Sequence, residues 1–215
     1  MPEKTITNLI PPAAGQPPAM PPLVLASTSP YRRELLIRLG LPFVAVAPVA
    51  DEAPLAGEAP RETALRLAEA KARSVAATHP GALIIGSDQV ADCDGTPVGK
   101  PGDFDGAVAM LTMLSGKTVV FHTGLALLEA ATGQCRTALV DVRSTFRTLG
   151  RADIEAYLRR ETPYDCAGAV KAEGLGIVLF ESIESDDPTA LIGLPLIRLT
   201  SLLRDAGVAV LVPRS

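Results

Sequence analysis

A chain of 215 residues with 47% hydrophobic and 20% charged residues can bury a sizeable core, and it reads as one soluble globular domain. A net charge of −4 gives no electrostatic footprint for nucleic acid. Cys93, Cys135 and Cys166 stand far apart without CxxC or Cys/His ligand spacing; this argues against a structural zinc site and fits free thiols in a reducing, cytoplasmic setting.

Residues 1–22 are crowded with prolines and hold a single basic residue, Lys4, with no continuous apolar run. They read as a flexible or partly extended tail rather than a secretory leader, with the folded domain expected over residues 23–211. No later stretch reaches the roughly 18 uninterrupted apolar residues of a membrane span.

Leu23-Val24-Leu25 reads as a buried strand. Ser29 then suits an N-cap, Pro30 the first helical position and Gly40 a C′ residue. Arg32 and Arg33 in that helix's first turn oppose its dipole. With the hydroxyls of Ser27, Thr28 and Ser29 they form a phosphate cradle, or they simply face solvent. A second strand is expected over Phe43–Val49, then an acidic turn with Asp51 and Glu52.

A helix over Arg61–Thr78 carries Lys71 on its apolar stripe, among Leu67, Ala68 and Val75. Such a lysine either snorkels to an edge or meets something negative. The run Ala82–Val90 predicts a strand ending at Asp88, a position from which α/β folds present carboxylates. Asp94-Gly95 signals a hairpin that would bring Lys100 opposite Gln89, as an ordinary cross-strand partner or as part of a site. A helix over Phe104–Leu114 follows, then strands over Lys117–Leu128 and Cys135–Phe146 and a helix over Arg151–Arg160. The glycine-rich stretch Cys166–Gly176 reads as a ligand-facing loop or a plain connection, before a strand over Ile177–Phe180. A last helix runs to Ala206, capped at Gly207. Hairpins interleaved with helices predict an α/β fold with a mixed sheet.

Pooled, Ser27, Arg32, Arg33, Lys71 and Lys100 suit anionic oxygens, while Glu52 and Asp88 suit a divalent metal or water activation. No P-loop is present. Neither His79 nor His122 stands in a triad context, so both read as structural.

Eight segments occur in order: LASTSPYRRELL, DE at 51–52, RLAEAKA, IIGSDQV, GKP at 99–101, TGLAL, CAGAVKAEGLGI and GLPL. Together they resemble the Maf (septum formation inhibitor-like) family of nucleotide pyrophosphatases, from about Leu23 to Gly207. The resemblance implies a two-lobed mixed α/β fold, a twisted sheet flanked by helices with a nucleotide cleft between the lobes. It also implies hydrolysis of a nucleoside triphosphate to the monophosphate and pyrophosphate with a divalent cation, Mg²⁺ or Mn²⁺, and a homodimer. By position, Ser27, Arg32, Arg33, Lys71 and Lys100 match phosphate-contacting residues. Glu52 and Asp88 match the acidic pair, Asp88 resembling the group that activates water.

Tyr31, Gln89 and Glu173 are similar to the branch that acts on 7-methyl-GTP, although that branch often has Trp where this chain has Tyr31. An aromatic face suits a cationic methylated base, and a carboxylate can accept from the guanine N–H edge. Two alternatives stay open at this stage. One is the same reaction on dTTP, UTP or a broader set; the other is a nucleotide-binding regulator of septation with weak turnover.

Overall fold

The computed structural model describes residues 20–53 and 55–211. Residues 1–19 of the expected tail lie outside the described residues. Continuous buried runs in the central strands assemble a seven-stranded mixed sheet from β1 (Leu23–Ala26), β2 (Val44–Val46), β3 (Leu83–Cys93), β4 (Thr96–Val98), β5 (Thr118–Glu129), β6 (Cys135–Phe146) and β7 (Phe180–Glu184). The order is β2-β1-β3-β5-β6-β7, with β4 pairing the far end of β3. β1 runs parallel to β2 and β3, and the remaining pairings are antiparallel.

Strand parity divides the core. Leu23, Leu25, Leu83 and Ile85 face α1 (Pro30–Ile37) and α5 (Leu196–Asp205) through Leu35, Leu36, Leu199 and Leu203. Val24, Ala26 and Ile84 face the other way, against Ala68, Ala72 and Val75 at α2 (Pro60–Ser74) and its end. Beyond the end of β1, the long strands continue into a second cluster. There Ala91, Phe121, Val142 and Phe146 pack on α3 (Phe104–Leu114) and α4 (Arg151–Glu161) through Leu111, Leu114, Ile154 and Leu158. The two lobes therefore share one sheet.

Four expectations need correction. The second strand is confined to Val44–Val46; Val44 is exposed, so little burial extends the pairing. β3 does not end near Asp88: β5 pairs with it from Leu83↔Glu129 to Asp92↔Val120, which leaves Asp88 in mid-strand, just past the last β1 partner, Ile85. The Asp94-Gly95 turn forms, with φ of 54° and 81° and Cys93 opposite Thr96, but the ladder stops at Ala91↔Val98. Gly99 and Gly102 instead bond the loop after α4, Gly168 N–H donating to Gly99 O (3.1 Å) and Gly102 N–H to Tyr164 O (3.1 Å). Lys100 thus leaves the sheet rather than facing Gln89. Finally, Leu175–Leu179 coils into 3₁₀ turns and the strand begins at Phe180, because Gly174 and Gly176 N–H both turn back to Lys171 O (3.1 and 3.0 Å).

His122 lies between two carboxylates: Nδ1 is 2.7 Å from Asp141 and Nε2 3.3 Å from Asp92 on neighbouring strands. Among the described residues, no helix is long and apolar enough to cross a membrane.

Candidate active site

The end of β1 delivers a chain of hydroxyls to the start of α1. Ser29 N–H donates to the buried Ser27 Oγ (3.1 Å), and Ser29 Oγ caps the helix by accepting from Arg32 N–H (3.3 Å). No acidic residue occupies the first turn of α1. Arg32 turns inward, its Nε donating to Gly193 O (2.8 Å), and Ser87 Oγ donates to the same carbonyl (2.8 Å). Gly193 adopts φ of 110°, and a Cβ there would stand 3.3 Å from Arg32 Nε, so glycine suits both its backbone and its neighbour. Burial lowers the Arg32 pKa from its ordinary value, opposed by Asp88 and Glu52. Arg33 is exposed on the outer side of α1 and does not line the cleft. One arginine of the pair is brought to the site.

Those groups open onto a cleft of about 580 Å³, within the range of small-molecule sites. On its wall, Lys71 is 7% exposed and its Nζ lies 2.6 Å from both Asp88 Oδ1 and Glu52 Oε1. The buried lysine meets two carboxylates instead of snorkelling. Hydrogen bonding to Lys71 holds the Glu52 carboxyl below the usual range against some desolvation, with Lys100 and Arg32 adding to the effect. Glu52 sits on an exposed arm, and Lys100 is exposed at the rim. Ser27, Arg32, Lys71, Lys100, Glu52 and Asp88 therefore converge on one space.

The donor set fits a divalent cation. Two carboxylates already share one cation, the Lys71 ammonium, and hard oxygen ligands completed by phosphate oxygens are what Mg²⁺ or Mn²⁺ uses. Among the described residues, no group of three or more His, Cys, Asp or Glu side chains stands together as a metal cluster.

Tyr31, Gln89 and Glu173 line the same cleft. Tyr31 lines the cleft, and Lys171 Nζ lies 5.8 Å from its ring centroid. Burial pushes the Tyr31 hydroxyl up to about 12, with Cys166, Asp165 and Glu173 adding. Gln89 Nε2 donates to Thr123 Oγ1 (3.0 Å) and to the carbonyls of Ala190 (2.8 Å) and Leu191 (3.1 Å), which leaves only its carbonyl oxygen for a ligand. Partial desolvation raises the Glu173 carboxyl, reinforced by Glu161 and Glu34 and opposed by Lys171.

Sequence reading missed Ser87 and Gly193 as the mount of Arg32, and the strand glycines Gly86 and Gly124 that let α2 lie low. Glycines inside strand patterns carried that last signal.

A family model described as "Maf-like protein" matches residues 22–206. A protein of Cupriavidus metallidurans named 7-methyl-GTP pyrophosphatase is 58% identical over 187 residues, 87% of this chain and 94% of the relative. Proteins of the same name from Polaromonas sp. and Methylobacillus flagellatus are 56% and 55% identical, covering 94% and 89% of this chain and 92% and 100% of those relatives. With the fold, the cleft and these matches together, the chain belongs to the Maf family.

Proposed function

We propose that this protein is a nucleoside triphosphate pyrophosphatase that hydrolyses 7-methyl-GTP to 7-methyl-GMP and pyrophosphate. The observation that carries the reading is the Lys71 ammonium, held 2.6 Å from both Asp88 and Glu52 in a cleft that Tyr31 and Glu173 also line. The names of the relatives support the base.

In this reading Ser27, Arg32 and Lys100 receive the triphosphate oxygens, in a cleft where burial strengthens each charge contact. Lys71 engages Asp88 Oδ1, which leaves Oδ2 to accept a proton from water. The water oxygen attacks the α-phosphorus, the α–β anhydride bond breaks, and pyrophosphate departs against the cationic side chains. Glu52 and Asp88 would hold a divalent metal ion, whose chemistry is to neutralise charge along the anhydride when bound. Tyr31 stacks on the methylated base, its hydroxyl un-ionised at neutral pH, and Glu173 accepts from the guanine edge. Residues 23–211 act as one domain in the cytoplasm, as a homodimer.

Pyrophosphate release from 7-methyl-GTP, GTP, dTTP and UTP, each with Mg²⁺ or Mn²⁺ and with Asp88→Asn as blank, tests the proposal. A clear preference for 7-methyl-GTP is expected. Preference for dTTP or UTP removes the base assignment, and no release from any of them removes the reaction.

A further inference from the structure

The loop that carries Glu173 has no regular secondary structure of its own beyond short turns, yet it is gripped from α4 by two side chains one turn apart. Tyr157 is buried; its hydroxyl donates to Ala169 O (3.2 Å) and accepts from Lys171 N–H (3.0 Å). Glu161, four residues on, ends the helix. Its Oε1 accepts from Leu175 N–H (3.0 Å) and its Oε2 faces Lys171 Nζ at 3.4 Å. One carboxylate therefore fastens the chain two residues before Glu173 and two residues after it. The backbone between lies against that carboxylate: a Cβ on Gly174 would stand 2.9 Å from both Glu161 oxygens. The same Lys171 ammonium sits 5.8 Å from the Tyr31 ring centroid.

We propose that Glu161 is a positioning residue for base selection. It touches no substrate; it sets where Glu173 stands and where the Lys171 charge rests. The inference rests on the reading of Tyr31 and Glu173 as the base-contacting pair. Two physical effects carry it. A carboxylate on a loop contributes to recognition only if its placement is fixed to within a fraction of an ångström. And a cation next to Tyr31 repels a cationic base unless a countercharge holds and neutralises it. Glu161 supplies the fixation and the countercharge together. Without it, Lys171 is free to swing onto Glu173 and cancel the charge that attracts a methylated purine.

The test compares full-length Glu161→Ala and Glu161→Gln with the parent. With Glu161→Ala, KM for 7-methyl-GTP is expected to rise about tenfold while kcat stays within about twofold, so the preference over GTP falls by the same factor. Glu161→Gln keeps an acceptor for Leu175 N–H but loses the countercharge, so it should fall between the two. Hydrogen exchange over residues 170–176 should quicken in Glu161→Ala while α2 and β3 keep their protection. Unchanged exchange in that segment overturns the proposal whichever nucleotide the parent prefers. So does an unchanged KM and selectivity, or an equal loss of kcat on 7-methyl-GTP and GTP with a lower melting temperature, the mark of a merely structural role. If the parent does not prefer 7-methyl-GTP, the base assignment fails by itself. The exchange data and KM for the nucleotide it does use then decide Glu161.

Discussion

Gly86 of β3 lies directly beneath the Ala68 carbonyl of α2, and a Cβ on Gly86 would also stand 2.9 Å from Ala72 N. Gly124, paired across the sheet with Asp88, lies under Ala64 in the same way. Two missing side chains let the helix rest on the sheet, which is how Lys71 reaches Asp88 at 2.6 Å. Gly86→Ala and Gly124→Ala should each lift α2. Overpacking of this kind costs about 1–3 kcal/mol. Urea unfolding should report that loss, and pyrophosphate release should fall further than stability does, because the lysine–aspartate contact opens. Retained stability with full turnover would mean that α2 shifts without disturbing the site.

Asp88→Asn preserves shape while removing the proton acceptor. Turnover should drop by about 10²–10⁴, the usual contribution of a positioned general base, with the fold intact. Lys71→Met should behave differently. It strands a nearly buried carboxylate, and breaking a buried pair costs about 3–5 kcal/mol when the remaining charge cannot escape. Circular dichroism melts separate the two outcomes: Asp88→Asn should melt near the parent, Lys71→Met well below it.

Much of this arrangement is legible in the sequence. The hydrophobic periodicities of α3, β5, β6 and α4 were strong enough to set their limits within a residue or so. Lys71 stood out because a lysine on an apolar stripe needs a reason. What escaped has a common physical origin. The register that leaves Asp88 in mid-strand depends on how far β5 extends, and that is decided by the second core, not by residues near Asp88. The exit of Lys100 from the hairpin depends on Gly99 O finding Gly168 N–H in a segment 69 positions later. Local pattern holds no information on such long-range competition for backbone bonds. Nor could adjacent arginines be told apart: a 100° step around α1 sends Arg32 to Gly193 and Arg33 to solvent.

That step makes a sharp contrast. Arg32→Ala removes a cleft-lining guanidinium and frees Gly193 O from one of its donors, so kcat/KM should fall by at least about tenfold, the effect of one charged hydrogen bond. Arg33→Ala, on the exposed side, should stay within about twofold. Steady-state kinetics on the two variants checks the assignment. A large loss in Arg33→Ala would require the arginine to reach the site from another molecule, as a dimer would allow.

The arm that carries Glu52 has its own clamp. Arg66 Nη2 donates to Ala53 O (3.1 Å), next to Glu52, and to Glu58 Oε2 (2.8 Å). Glu58 also takes Leu55 N–H (3.1 Å) and Thr63 Oγ1 (2.9 Å). Hydrogen bonding to Arg66, above all, lowers the Glu58 carboxyl from 4.5 to about 2. A carboxyl whose folded pKa lies below its unfolded one stabilises the fold fully above the unfolded value, and the contribution is lost as pH falls through the folded value. The window here runs from about 4.5 down to about 2. Arg66→Met should therefore melt below the parent at pH 7, and the gap should narrow through that window and close near pH 2. The Glu58 carboxyl carbon, followed by NMR, should titrate near 2 in the parent and move toward 4.5 in the variant. A melting gap that persists undiminished to pH 2 would place the role of Arg66 in packing instead of in its charge.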